Sequence, residues 1–146
     1  MVDKSELLDE LRLAVGSVPD YAKSLTDFYH GIVFKLVSEK VTQFSVSLYE
    51  VKETEFAQVT FAGLPPSEGD VPFGEGLQSI AAVRGEIVFE MDDDNQFIIA
   101  PFYKGHHLIG QLFFEIPHTT YTVSTDDLIF IKEVTRFIES KYDEFT

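Results

Sequence analysis

The sequence contains no cysteine and no tryptophan, and only 11 of its 146 residues are lysine or arginine. The lack of cysteine excludes disulfide bonds, thiolate metal ligands and a cysteine nucleophile. The few basic residues stand against 25 acidic ones, which gives a formal net charge of −14. Nucleic acids and anionic membranes are bound through clustered Lys and Arg, so we expect neither as a partner. No motif predicts a cofactor.

Long apolar runs are also missing. No stretch approaches the ~18 residues of a membrane span, and the N-terminus lacks the basic start and apolar run of a signal peptide. We therefore expect a soluble, cytoplasmic protein. Its 146 residues, of which 45% are hydrophobic, suit one domain with a substantial core.

Apolar periodicity divides the chain into three parts. Residues 1–41 have the spacing of two helices, residues 42–123 mostly alternate as strands do, and residues 124–143 return to helical spacing. Ser124, with Asp127 three residues on, forms the capping box that begins the last helix.

The second and last predicted helices carry apolar stripes wide enough to pack on a sheet. We expect Pro19 to open the second helix, since proline is favoured in a first helical turn. If these stripes instead faced another copy of the chain, they would form a homodimer interface. Its residues would be Ala22, Leu25, Tyr29, Ile32, Ile131, Val134 and Ile138.

The strands of the central part have two unlike faces, because alternate residues of a strand point to opposite sides of a sheet. One predicted face is apolar and suits the helices: Phe44, Val46, Leu48, Val59, Phe61, Leu112 and Phe114. The other is mixed and polar: Ser45, Ser47, Tyr49, Gln58, Thr60 and Gln111. Such polarity is unusual for a covered sheet face and favours a binding pocket there.

The segment PFGEGLQSIAAVRGE, residues 72–86, invites comparison with a phosphate-binding loop. Such a loop presents consecutive backbone N–H groups at a helix N-terminus, usually with a Lys or Arg. Here Glu75 places a carboxylate between Gly74 and Gly76, and Arg84 follows only at the far end of the predicted helix. The segment is therefore interpreted as a turn followed by a short helical lid.

Three segments together resemble a GAF domain. PFGEGLQSIAAVRGEIV is similar to that family's loop, short helix and strand, IIAPFYKGHHLIGQLFFE to its central hairpin, and YTVSTDDLIFIKEVTRFIES to its closing helix. The resemblance implies an α+β fold with an antiparallel sheet of about six strands. It also implies that the terminal helices pack on one face, with a small-molecule pocket on the other. A PAS-like fold is the structural alternative.

The resemblance also implies a function. GAF domains are sensory or regulatory modules, but the superfamily includes the free methionine-(R)-sulfoxide reductases, in which a cysteine stands close to the position of Gln78. Without a sulfur nucleophile that reaction has no attacking group, so we expect no enzymatic activity. The predicted ligand-binding residues are Ser45, Ser47, Tyr49, Thr60, Gln78, Ile99, Pro101 and Gln111.

Two of the polar residues near the predicted lid have alternative interpretations. Gln78 and Arg84 offer an amide and a guanidinium to a ligand. Alternatively, Gln78 lies on a solvated helix face and Arg84 pairs with Glu86 or Glu90.

No metal site is predicted. His106 and His107 are adjacent at a hairpin turn and point in different directions, so we expect an exposed turn. The acidic run at residues 92–95 lacks the glycine and distal Glu of an EF-hand loop, which favours a solvated turn over a calcium site. This short loop also removes one wall of the pocket that the resemblance implies.

Two functions remain open from the sequence. The first is a small-molecule-sensing or regulatory domain without chemistry of its own. The second is a degenerate GAF domain that has lost its ligand and acts as a homodimerisation module or docks a regulatory protein. An enzyme of unrecognised chemistry would need a perturbed acid–base pair in the pocket.

Overall fold

The computed structural model describes residues 4–37, 43–66, 69–74 and 76–146, so Glu75 and parts of the predicted helical segment lie outside the described residues. The helices are α1 (Lys4–Gly16), α2 (Leu25–Leu36), α3 (Gly76–Arg84) and α4 (Thr125–Lys141), with 3-10 turns at Val18–Asp20 and Tyr142–Phe145. The strands are β1 (Ser45–Val51), β2 (Glu55–Gly63), β3 (Val71–Pro72), β4 (Val88–Met91), β5 (Asn95–Lys104) and β6 (His107–Pro117).

The strands form one antiparallel sheet in the order β3-β2-β1-β6-β5-β4. Helix α2 packs over β1 and β2, helix α4 over β5, and α1 against both helices, while α3 packs on β4 and β5 from the other face. The predicted α+β architecture is confirmed. Across the described ranges, no helix combines the length and the apolar content that a membrane span requires.

The main core lies between the sheet and helices α1, α2 and α4. It includes most of the stripe considered above as a dimer face: Tyr29, Ile32 and Ile138 are 0% exposed, and Val134 is 2% exposed. These side chains are already buried within their own chain. A homodimer interface built on this stripe is therefore wrong.

Helix α2 begins later than predicted. Pro19 lies in the preceding 3-10 turn, and Ser24 is the N-cap of α2. The Ser24 hydroxyl oxygen accepts a hydrogen bond from the Asp27 N–H at 3.1 Å. This bond satisfies a backbone donor that the helix itself leaves unpaired, so the helix starts at Leu25.

A β-bulge in β2 changes the face on which two residues lie. A register shift opposite Leu48 gives β2 one extra residue, after which Thr60 pairs with Leu48 and Phe61 pairs with Ser47. Thr60 therefore lies on the helix side of the sheet, and Phe61 lies on the opposite side. The predicted faces of both residues are wrong, because one inserted residue reverses the alternation of side chains.

The hydroxyls of Tyr29, in α2, and Tyr121, between β6 and α4, differ in their hydrogen bonding. Tyr29 is 0% exposed, and its hydroxyl has no partner within the described residues. Burial, reinforced by the charge of Glu50, raises the pKa of Tyr29 above its ordinary value. The Tyr121 hydroxyl instead donates to Asp127 Oδ1 at 2.5 Å.

The same substitution should therefore have opposite effects at the two sites. We expect Tyr29→Phe to raise the free energy of unfolding by about 1 kcal/mol, because it removes an unpaired buried hydroxyl. Tyr121→Phe should lower it by about 1–2 kcal/mol, because it removes a hydrogen bond to a carboxylate. Urea unfolding of both variants is the measurement, and changes of the same sign would contradict the assignment.

Candidate functional site

Helix α3 covers the sheet face opposite the other helices. Gly74 and Gly76, at its start, have φ angles of 90° and 68°, and Gly85, which follows its last residue, has a φ of 70°. Glycine adopts these angles readily, so the three positions confine a short helix between two turns. The Ser79 hydroxyl oxygen also accepts a hydrogen bond from the Gly74 N–H at 2.9 Å. The predicted turn and short helix are confirmed.

A first row of side chains crosses the sheet beneath α3. Tyr49 pairs with Gln111, and Gln111 pairs with Pro101 on the next strand. Gln78 of α3 joins this row, because Gln111 Nε2 donates to the Gln78 backbone oxygen at 2.9 Å. Gln78 is 1% exposed and Gln111 is 0% exposed. The alternative in which Gln78 lies on a solvated helix face is therefore wrong.

A second row lies beside the first and contains Ser47, Phe113 and Ile99. Ser47 and Ile99 are 0% exposed, and Ile99 shares an apolar cluster with Ala81 of α3. Phe113 and Ala81 were not predicted as site residues. Phe113 could have been found, because it follows Leu112 in the strand and must therefore lie on the opposite face of the sheet. Ala81 could not, because nothing in the sequence shows which side of α3 turns towards the sheet.

Two predicted site residues lie apart from these rows. Ser45 is on the same face but at the other end of β1, where it pairs with Glu115 and Gly63. Thr60 borders a groove between α2 and β2 on the helix side, so its predicted place in the pocket is wrong. The predicted residues that the structure brings together are Ser47, Tyr49, Gln78, Ile99, Pro101 and Gln111, which we call the α3 cluster.

Polar atoms in the α3 cluster are left without hydrogen-bond partners. Within the described part of the chain, Ser47 Oγ, Gln78 Nε2 and Gln111 Oε1 are buried and unpaired. Most buried polar atoms in proteins are paired, and each unpaired one costs about 1–3 kcal/mol. The three atoms comprise a donor, an acceptor and a hydroxyl that can act as either. A small polar molecule that has both a donor and an acceptor would complement these three atoms.

The α3 cluster is closed in this structure. Open cavities occur elsewhere, including one of about 630 Å³ between α2 and β2 and one of about 360 Å³ between α2 and the β5–β6 hairpin. By contrast, Ser47, Gln78 and Gln111 are no more than 1% exposed. A molecule that reached their polar atoms would have to displace α3.

The histidines and the acidic turn lie outside the α3 cluster. His106 and His107 are exposed at the β5–β6 turn, as predicted. Asp92 Oδ1 accepts hydrogen bonds from the N–H groups of Asp94 and Asn95 at 2.9 and 2.7 Å, which lowers the pKa of Asp92. That carboxylate therefore closes a turn. The residues that the structure describes contain no group of three His, Cys, Asp or Glu side chains that could hold a metal ion.

No protein-family model matches this chain, and no curated protein matches it significantly. Solved structures do match. The free methionine-R-sulfoxide reductase from Neisseria meningitidis, in complex with its substrate, has a TM-score of 0.81 and 19% identity over 98% of this chain and 92% of its own. The GAF domain of a phosphoenolpyruvate-protein phosphotransferase from Acinetobacter has a TM-score of 0.75 and 20% identity, with 98% and 95% covered.

A second reductase of this kind, from Staphylococcus aureus with its substrate, has a TM-score of 0.77 and 17% identity, with 97% of each chain covered. Because the superpositions span nearly the whole of every chain, they cover the sheet, the flanking helices and α3 together. At this level of identity the likeness concerns architecture alone. The chain adopts the GAF fold.

Proposed function

We propose that this protein is a small-molecule-sensing or regulatory GAF-like domain that binds its ligand in the α3 cluster. The observation that carries the proposal is the set of unpaired buried atoms, Ser47 Oγ, Gln78 Nε2 and Gln111 Oε1. A ligand that pairs with them removes the free-energy cost of their burial. The Neisseria reductase, solved with its substrate, shows that this fold holds a small molecule in another protein.

The chemistry of the cluster favours a small neutral or zwitterionic ligand. Its polar groups are two amides and the hydroxyls of Ser47 and Tyr49, none of which is charged at neutral pH. Hydrogen bonds rather than ion pairs would then orient the ligand, while Ile99, Pro101 and Phe113 supply apolar walls. Amino acids and carboxamides are the classes that fit this description.

The proposal is for binding without turnover. The reductases among the structural neighbours share the fold, but this chain has no cysteine. Cysteine-based sulfoxide reduction therefore has no nucleophile here. The ligand would instead act by changing the position of α3.

Movement of α3 would connect binding to signalling. Because the cluster is closed, a ligand that enters must shift α3 about the glycines at its two ends, and its binding energy then favours the shifted position. On the outer side of α3, Ile80 is 42% exposed and Val83 is 89% exposed. When α3 moves, these exposed side chains would move with it, and a regulatory partner that contacts them would bind one position of α3 better than the other.

A thermal-shift screen tests the proposal directly. Neutral amino acids, carboxamides and nucleobases form the main set, with nucleotides and inorganic phosphate as charged comparisons. A ligand at 100 times its dissociation constant should raise the free energy of unfolding by about 2.7 kcal/mol. That corresponds to a rise in Tm of roughly 5–10 °C for a domain of this size.

Ser47→Ala makes the test specific to the site. It should raise the free energy of unfolding of the ligand-free protein by about 1 kcal/mol, because it removes an unpaired hydroxyl, and weaken ligand binding about tenfold. Ser140→Ala, at an exposed position on α4, is the matched control and should leave the ligand response unchanged. Destabilisation of the ligand-free protein by Ser47→Ala would count against a binding role for this hydroxyl.

The second candidate is an interaction module without a ligand. Closure of the α3 cluster favours it, since the described site residues already pack against one another. A screen without any hit, together with a Ser47→Ala variant of unchanged stability, would support this second function over the first.

A further inference from the structure

The open cavity of about 360 Å³ between α2 and the β5–β6 hairpin has the size of a ligand site. Small-molecule pockets in proteins have volumes of about 300–1,000 Å³. Tyr29 of α2 and Glu50 of β1 line this cavity, together with apolar side chains of α2 and of both strands. We call it the Tyr29 cavity. It shares no residue with the α3 cluster, which lies on the other face of the sheet.

Tyr29 contributes a buried hydroxyl without a partner to this cavity. Its side chain is 0% exposed, and within the described residues nothing bonds the hydroxyl. Burial, then the charge of Glu50 and then Tyr142 raise the pKa of Tyr29, and the last two residues both line the cavity. The hydroxyl is therefore on the cavity side of the tyrosine. Because most buried polar atoms in proteins are paired, such a group is a candidate ligand contact.

Glu50 places a carboxylate on the face of the sheet that otherwise holds the core. Glu50 pairs with Gly110 and Leu48 pairs with Leu112 without interruption, so Glu50 lies on the helix side, as Leu48 does. Its side chain is 27% exposed and bonds Lys52 Nζ at 3.1 Å, while the Lys52 side chain is 55% exposed. A carboxylate has about four acceptor sites, and an exposed ion pair contributes little, so Glu50 is able to bind a second cation.

The charges around the cavity favour a cation over an anion. Lys104 also lines the cavity, but its ammonium group is paired with Asp143. No cation of the described chain contributes to the pKa shift of Tyr29, so Glu50 dominates the potential at the buried hydroxyl. The net charge of −14 also attracts cations to this chain and repels anions at long range.

We propose that the Tyr29 cavity binds a small organic amine with an apolar body. The ammonium group donates to the Glu50 carboxylate and to the Tyr29 hydroxyl oxygen, and both are charge-assisted hydrogen bonds. The apolar body packs against the walls, which include Leu25, Val51 and Leu108. The exposed side chains of Lys104 and His107 turn aside to admit the ligand. This site is independent of any ligand in the α3 cluster and takes a different chemical class.

An NMR titration of the isotope-labelled protein with benzylamine tests the site. Backbone amide signals of Tyr29 and Leu108 should shift, whereas those of Gln78 and Gln111 in the α3 cluster should not. Benzyl alcohol and benzoate carry a hydroxyl and a carboxylate in place of the ammonium group. Each should bind about tenfold more weakly or worse, because neither forms a charge-assisted bond to Glu50. The absence of shifts with benzylamine, or equal affinity for benzyl alcohol, would overturn the proposal.

Two substitutions assign the contacts. Glu50→Gln and Tyr29→Phe should each weaken benzylamine binding about tenfold. Tyr29→Phe is expected to be more stable than the wild type, so its loss of binding would not be a loss of folding. Glu53→Gln, at an exposed position in the turn after β1, removes the same charge and should leave the affinity unchanged. Equal losses in the two glutamine variants, or wild-type affinity in Glu50→Gln, would contradict recognition by Glu50.

Discussion

Gly110→Ala is expected to lower the free energy of unfolding by about 3 kcal/mol or more, because no space exists for a methyl group at this position. Gly110 lies in β6, opposite Glu50 on β1 and Phe102 on β5. A Cβ atom there would be 2.3 Å from the Tyr49 backbone oxygen and 2.7 Å from Phe102 Cζ. The Phe102 ring could turn aside, but the Tyr49 oxygen belongs to a central strand, so β1 and β6 would have to separate.

Gly16→Ala is the matched control for this prediction. Gly16 ends α1, and no described heavy atom outside its own surroundings lies within 4 Å of a Cβ built there. Alanine is the better helix former, so stability should be unchanged or rise by up to about 1 kcal/mol. Urea unfolding of both variants measures the difference in midpoint. Similar losses in the two would show that the crowding at Gly110 is relieved by a small shift of the strands.

Much of the architecture was predictable because several elements carry more than one signal. Helix α4 has both an apolar stripe and the Ser124–Asp127 pair, in which Asp127 Oδ2 accepts a hydrogen bond from the Ser124 N–H at 2.7 Å. The helix begins where predicted. Helix α2 was placed too early, because a proline permitted in a first turn was given more weight than the Ser24 cap. Strand β3, only Val71–Pro72, is too short to show any period.

The site was predicted less completely, for two physical reasons. The bulge beside Thr60 adds one residue to a strand whose composition does not reveal it, and that residue alone moved Thr60 to the wrong face. Burial of Gln78 depends on which side of α3 meets the sheet, and a polar residue in a short helix usually faces solvent. Ser47, Tyr49 and Gln111 lie on the predicted face of the sheet, because regular alternation holds along β1 and β6.

Gln96→Leu is the other substitution from which we expect a large loss, about 2–5 kcal/mol in the free energy of unfolding. Gln96 is 2% exposed and lies in β5. Its Nε2 donates to the Tyr121 backbone oxygen at 2.6 Å, and its Oε1 accepts from the Val123 N–H at 2.9 Å. One side chain thus bonds two backbone groups of the segment that connects β6 to α4. Leucine fills the volume but leaves both backbone groups without a partner.

Gln96→Leu should also destabilise the start of α4 more than the rest of the protein. The reason is that the connecting segment leads directly into Ser124, the N-cap of α4. Hydrogen exchange should accelerate at Val123 and in the first turn of α4 before it does so in the sheet. Gln43→Leu, at an exposed glutamine, is the control and should change stability by less than about 0.5 kcal/mol.

Gln96→Glu separates the two hydrogen bonds. At neutral pH a carboxylate still accepts from the Val123 N–H but cannot donate to the Tyr121 oxygen, so the variant should be unstable. In acid the protonated carboxyl regains a donor, so its deficit relative to wild type should shrink as the pH falls. A deficit that is constant across pH would mean that the Tyr121 bond contributes little and that the connection depends on Val123 alone.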